Sequence, residues 1–330
     1  MTRKILALPG DGAGPDLISA AASVIAAATD DVEIAYGDIG LSAYNKTDRY
    51  LPQETLDLAA GSDAILAGIV SGRPQDPLYR DPLKTLKRQL NLSASIRKFY
   101  PLHEGIGHGD IDLIIITGNP DSLQNVIEKD SLDGVISEKI ISIDMCRRLF
   151  ALTMRMAEIK GRRSILCAHR SDLFPRSDRM FVDIFYKELA ASEFIISDAE
   201  MDDTASRLAT DPSSLDVIVS NEIYGSVLAG FAAGMVGGAR LTPMGSIGDD
   251  VGMFEPMHRA DDPDSLRNPT SAILSGAMAL DHIGMPCVGE AVRDAVRSVY
   301  RQGTVTPDVG GASTAKEFTN AVIKTIEGNR

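Results

Sequence analysis

LPGDGAGPD, Leu8 to Asp16, follows directly on the apolar run Ile5-Leu6-Ala7 near the start of the chain. It places a glycine-rich turn between a buried strand and a helix. Gly10, Gly12 and Gly14 permit backbone angles and close approaches that a Cβ would block, and Pro15 suits the first turn of a helix continuing as DLISAAASVIAAA. Such a turn can present backbone N–H groups to an anion, yet it is not the GxGxxG dinucleotide fingerprint, and plain architecture is the commoner role. Outward from it, short apolar runs alternate with helical patterns. ILAL, VEIAYG, AILAGIV, DLIIIT, SILCAH and LDVIVS read as strands. PQETLDLAA, Ile143 to Ile159, TSAILSGAMALDHIG and AVRDAVRSVYRQG read as helices. This alternation predicts an α/β fold with strands covered by helices on both faces.

With 330 residues, 44% hydrophobic and 24% charged, the chain has material for one large core or two moderate ones. A formal charge of −13 argues against nucleic acid or an anionic membrane as partner, since both require a basic face. The three cysteines, Cys146, Cys167 and Cys287, are far apart and lack CxxC spacing. They predict neither a disulfide framework nor a zinc site and fit a reducing cytoplasm. The first apolar stretch ends too soon, at Pro9-Gly10-Asp11, for a signal sequence, and no uncharged run is long enough to span a bilayer. The glycine and proline cluster from Gly234 to Pro243, and Phe99-Tyr100-Pro101, are candidate crossings between compact units.

Four segments in order resemble the β-decarboxylating dehydrogenases, the family of isopropylmalate, isocitrate and tartrate dehydrogenases. LPGDGAGPD is similar to the family's LPGDGIGPE, and LKRQLNLSASIRK (Leu86 to Lys98) to its LRxxLxLxANLRP. DVIVSNEIYGSVLAG (Asp216 to Gly230) is similar to DVIVTxNLFGDILSD. FEPMHRADDPDSLRNPTSAILSGAMALDHIG (Phe254 to Gly284) matches the closing FEPVHGSAPDIAG and NPTA segment. The resemblance implies two α/β domains with a large mixed sheet and a cleft between the domains. A discontinuous, cofactor-side first domain would span 1–98 plus 241–330, and a second, 99–240, would carry the dimer interface and cleft residues.

The family reaction oxidises a 2-hydroxy diacid by hydride transfer to a nicotinamide and then releases CO2, with a divalent metal stabilising the enolate. Its three metal aspartates fall on Asp202, Ser226 and Gly230. One carboxylate and one hydroxyl make a poor cage for Mg2+ or Mn2+, and the bland reading of Asp202, in the acidic run Asp198 to Asp203, is a solvated helix start. The family's proton-abstracting lysine falls on Arg170, which stays protonated and cannot be a general base. The tyrosine that reprotonates the enol falls on Gln124, which has no proton to exchange. Each such loss costs roughly 10²- to 10⁴-fold in rate.

Carboxylate recognition is partly kept: the three arginine positions carry Lys87, Arg97 and Thr117, with Arg170 as replacement charge. The plain alternative for Lys87 and Arg88 is a solvated helix face. At the cofactor positions, Asn268 matches the family's NP, Asp264 is placed to bind a ribose and favour NAD, and His258 lies near the site, though Arg259 puts bulk where glycine allowed close approach. Glu222, Asp172 and Asp121 are new carboxylates, read either as a rebuilt site with Arg170 and Gln124 or as surface acidity.

Two functions follow. The first is a divergent, NAD-binding or ligand-binding homologue without metal-assisted decarboxylation, recognising a small anionic carboxylate as a homodimer or beside a catalytic paralogue. The second is an active NAD-dependent oxidoreductase on an unusual 2-hydroxy acid.

Overall fold

The opening apolar run forms strand β1, Arg3–Leu8, and the helix Gly14–Ala28 follows with a proline in its first turn, as the sequence predicts. Gly10 adopts φ +72°, and a Cβ there would collide with the Ile69 carbonyl oxygen. At Gly14 a Cβ would meet the Pro9 carbonyl. The turn is tied inward by Asp11, whose carboxylate accepts from the backbone N–H groups of Leu41 (2.8 Å), Ser42 (2.7 Å) and Ser71 (2.7 Å).

This computed structural model describes residues 2–71, 79–108, 110–119, 126–257 and 267–329. The chain divides into two compact units, one of residues 1–90, 101–109 and 233–330, the other of 91–100 and 110–232. Residues 91–98, expected with the first domain, fall in the second unit, and residues 101–109 and 233–240, expected with the second, fall in the first.

The first unit holds β1 with β2 (Val32–Tyr36), β3 (Ala64–Ala67), β11 (Pro243–Ile247) and β12 (Gly252–Pro256). Their order is β2-β1-β3-β12-β11, parallel throughout except for the antiparallel pair β11 and β12. The helix Thr270–His282 is buried at ten positions, the hydroxyls of Ser271 and Ser275 among them satisfied by backbone carbonyls. It packs against Gly14–Ala28 and Pro286–Arg301.

The second unit holds β4 (Ala94–Phe99), β5 (Leu113–Gly118), β8 (Ser164–His169), β9 (Ile195–Glu200) and β10 (Val217–Ser220), in the order β4-β5-β10-β8-β9. Strand β4 runs antiparallel to β5, and the other pairings are parallel. The helices Ile143–Ile159 and Ser177–Leu189 meet through Phe150, Phe181 and Phe185, with ring centroids 4.8 and 5.4 Å apart. A separate hairpin pairs β6 (Val126–Ser131) with β7 (Gly134–Lys139). Among the described residues no helix is long and apolar enough to cross a membrane. All three thiols are free, Cys146 and Cys167 buried and Cys287 exposed.

Candidate functional site

Parallel strands bring their carboxyl ends to one edge of a sheet, where open α/β folds place their ligands. In the second unit that edge gathers Thr117 from β5, Glu222 two residues after β10, His169 at the end of β8 with Arg170 just beyond it, and Glu200 from β9.

Arg97 and Thr117 sit on the same face because Ser95 pairs with Thr117 and Arg97 with Ile115, positions two apart in each strand. Arg97 Nη1 lies 3.4 Å from the Thr117 hydroxyl. That hydroxyl donates to Glu222 Oε2 at 2.6 Å, while Glu222 Oε1 stands 3.9 Å from Arg97 Nη2. Arg97 and Thr117 are buried, whereas the Glu222 side chain keeps 17% of its surface in solvent. The arginine expected to grip a ligand carboxylate already faces one from its own chain.

The same balance holds at Arg170, read from sequence as replacement charge for an anion. Its Nε and Nη2 donate to Asp172 Oδ1 and Oδ2 at 3.0 and 3.1 Å. A forked pair of this kind is the strong form of a carboxylate contact, and the Arg170 hydrogen bonds hold the Asp172 carboxyl down at about 2. Glu222 and Asp172, weighed as members of one rebuilt carboxylate site, thus have separate partners. Asp121 and Gln124 lie outside the described residues.

Two clusters on this unit were not singled out from sequence. His169, buried, has Nε2 3.0 Å from Asp198 Oδ2 and accepts the Ser171 N–H on Nδ1 at 3.2 Å. That network assigns the ring proton to Nε2. Tyr186 donates to the other Asp198 oxygen at 2.5 Å, and burial together with Asp198 pushes its phenol up to about 12. Asp198 and Glu200 belong to the acidic run read as a solvated helix start, but they lie on β9, and only from Met201 is the run helical.

In the second cluster Lys139 Nζ donates to Asp178 Oδ1 at 2.5 Å and to the Tyr224 hydroxyl at 3.2 Å. It also lies 4.1 Å from the centroid of the Phe174 ring. Burial and the nearby Asp178 raise the Tyr224 phenol. No motif flagged these residues, since the hairpin carrying Lys139 shows no apolar alternation around it.

The positions expected to hold a metal carry one carboxylate, one hydroxyl and one glycine. Asp202 is exposed in the first turn of the helix Met201–Thr210 and accepts from the Asp203 N–H at 3.1 Å. Ser226 returns its hydroxyl to the Ile223 carbonyl at 3.4 Å, and Gly230 supplies no side-chain donor. Hard cations require several carboxylate or carbonyl oxygens, and among the described residues no three His, Cys, Asp or Glu side chains are grouped to supply them.

In the first unit Lys87 is turned inward and paired with Glu255, both nearly enclosed, while Arg88 is exposed. The helix-face reading therefore holds for Arg88 and fails for Lys87. Asn268 is fully buried, its Nδ2 3.1 Å from Asp308 Oδ2 and its Oδ1 accepting from the Thr270 N–H at 3.0 Å. Both ends of this side-chain amide are used inside the fold. His258 and Asp264, the other expected cofactor contacts, lie outside the described residues.

Residues 4–322 match the family model described as isocitrate/isopropylmalate dehydrogenase. The isocitrate/homoisocitrate dehydrogenase of Thermus thermophilus is 32% identical over 99% of each chain. The 3-isopropylmalate/3-methylmalate dehydrogenase of Methanocaldococcus jannaschii is 31% identical over 98% of each. Among solved structures, a β-decarboxylating dehydrogenase from Thermococcus kodakarensis in its apo form superposes with a TM-score of 0.90 at 28% identity, covering 99% of this chain and 96% of that one.

Proposed function

Because the chain belongs to the isocitrate/isopropylmalate dehydrogenase family, we propose that it is a divergent member that has lost metal-dependent oxidative decarboxylation and acts as a ligand-binding or regulatory homologue. The observation that carries this reading is the donor set at the metal positions: an exposed Asp202, a Ser226 hydroxyl turned back on its own helix, and Gly230. Without a Lewis acid the charge developing on an enolate has no partner. Arg170, fixed to Asp172, supplies neither a base nor an unmatched cation.

The ligand class is a small hydroxy acid, with NAD as the dinucleotide the family implies. The partner is a second copy or a catalytic paralogue. An apolar stripe on the helix Glu222–Met235 supports this, with Ile223, Val227 and Phe231 exposed at steps of four. Unpartnered apolar stripes of that kind mark protein contacts.

The test incubates the purified protein with a panel of 2-hydroxy acids, NAD or NADP, with and without Mn2+, and follows reduced nicotinamide. Silence of the chain alone is expected. Mn2+-dependent reduction accompanied by CO2 release would overturn the reading.

A second reading, an active NAD-dependent oxidoreductase, is favoured by one contact: the Lys139 ammonium and the Tyr224 phenol, two groups able to exchange protons, lie 3.2 Å apart. It requires turnover that survives EDTA and is lost in Tyr224→Phe.

A further inference from the structure

The second unit's expected carboxylate grip presents an acid rather than a base. Arg97 is 7% exposed and Thr117 fully enclosed, so a molecule arriving from solvent at this point meets the Glu222 side chain, 17% of which is open. Glu222 is held there from two sides. Oε2 takes the Thr117 hydroxyl hydrogen at 2.6 Å, and Oε1 faces the Arg97 guanidinium at 3.9 Å. A carboxylate has about four acceptor sites, so this one still has room for a hydrogen-bond donor.

We propose that Glu222 sets the ligand charge of this site, excluding a second carboxylate and selecting a hydroxy acid whose far end is a hydrogen-bond donor such as a hydroxyl. The inference rests on the ligand-binding reading above and names the class of ligand for it.

The argument is one of sign. A second anion brought against Glu222 meets like charge in a partly desolvated setting, where repulsion is strong enough to reject a partner. A hydroxyl in the same place donates to Oε1 and leaves the pairing with Arg97 intact. The competing account makes Glu222 only a favourable acidic residue in the first turn of its helix. That account predicts a loss of stability on neutralisation, and the same loss whether or not a diacid is present.

A matched pair of probes separates the two. Malate and 2,4-dihydroxybutyrate share a carboxylate, a 2-hydroxyl and a four-carbon chain, and differ in ending as a carboxylate or a hydroxymethyl group. Calorimetry on the protein is expected to show 2,4-dihydroxybutyrate binding roughly tenfold or more tightly than malate, the scale on which a misplaced charge discriminates. In Glu222→Gln, which keeps an oxygen for Thr117, that preference falls to parity or reverses. The shorter Glu222→Asn uncovers Arg97 further and turns the preference toward malate.

Because either variant can lose stability, thermal unfolding is read with and without malate. Malate is expected to raise the Tm of both variants and to leave the unsubstituted protein nearly unchanged, since a ligand stabilises only the form it binds.

Equal affinity for the two probes, unmoved by either substitution, overturns the role of Glu222 while leaving ligand binding in place. Binding of neither probe to folded protein of any of the three sequences overturns both statements. Metal-dependent decarboxylation overturns only the functional reading.

Discussion

Lys139, at the end of the hairpin strand β7, places its ammonium 2.5 Å from a carboxylate oxygen of Asp178, a side chain with no exposed surface. Asp178 also accepts the Arg170 N–H at 3.0 Å, so one buried carboxylate ties the hairpin to the loop that presents Arg170 and Asp172. Removing one partner of a buried pair leaves the other uncompensated. Lys139→Met is therefore expected to cost roughly 3 kcal/mol or more in urea unfolding, and a loss under about 1 kcal/mol would show that the pair carries no such weight.

The glycine turn offers a cleaner comparison. Gly10 and Gly161 both have positive φ, +72° and +62°, but a Cβ at Gly10 meets the Ile69 carbonyl and one at Gly161 meets nothing within 4 Å. Gly161→Ala is expected to cost about 1 kcal/mol, from backbone strain alone. Gly10→Ala should cost at least about 2 kcal/mol more, because strain and overlap with fixed backbone act together. Equal midpoints for the two variants would refute the overlap.

How much of this was legible in the chain depended on the range of the signal. The helix Ile143–Ile159 has the bounds its three- and four-residue apolar spacing predicts, since that periodicity is local. The hairpin went unread because its turn, Leu132-Asp133, carries no turn signature, and because β7 is exposed along most of its length and alternation has no apolar face to report. Strand β9 was hidden in the acidic run for a similar reason: Asp198 and Glu200 reach His169 across the sheet while staying partly open to water, so the strand shows no apolar face. At the site, Arg97, Thr117 and Glu222 could each be marked as a substituted position. That Glu222 lies on Thr117 could not, because the bond joins residues 105 apart and only the register of β10 on β5, which pairs Ser220 with Thr117, and the turn after β10 create it.

Thiol chemistry is expected to divide one against two. Burial pushes the Cys146 thiol up to about 12 and Cys167 well above its ordinary value, while Cys287 is exposed near the start of the helix Pro286–Arg301. Reactivity requires accessible thiolate. A colorimetric disulfide reagent should therefore titrate one thiol rapidly in the native protein and all three in denaturant. Rapid modification of two in the native state would place Cys146 or Cys167 at the surface.

Asp172 supplies the pH dependence. Its carboxyl is held at about 2 by the Arg170 hydrogen bonds, below the roughly 3.9 of an unfolded aspartate. A lowered carboxyl favours the folded arrangement above the unfolded value and loses that advantage as pH falls through the folded one. The stability it contributes is therefore full above about pH 4 and fades toward about pH 2, where the carboxyl itself protonates and the fork opens. Carbon NMR of the Asp172 carboxyl is expected to show a midpoint near 2, moving up toward the ordinary aspartate value in Arg170→Met. Asp172→Asn removes the fork without acid. A midpoint near 4 in the unsubstituted protein, or one that Arg170→Met leaves unmoved, would show that Asp172 does not hold Arg170 in solution.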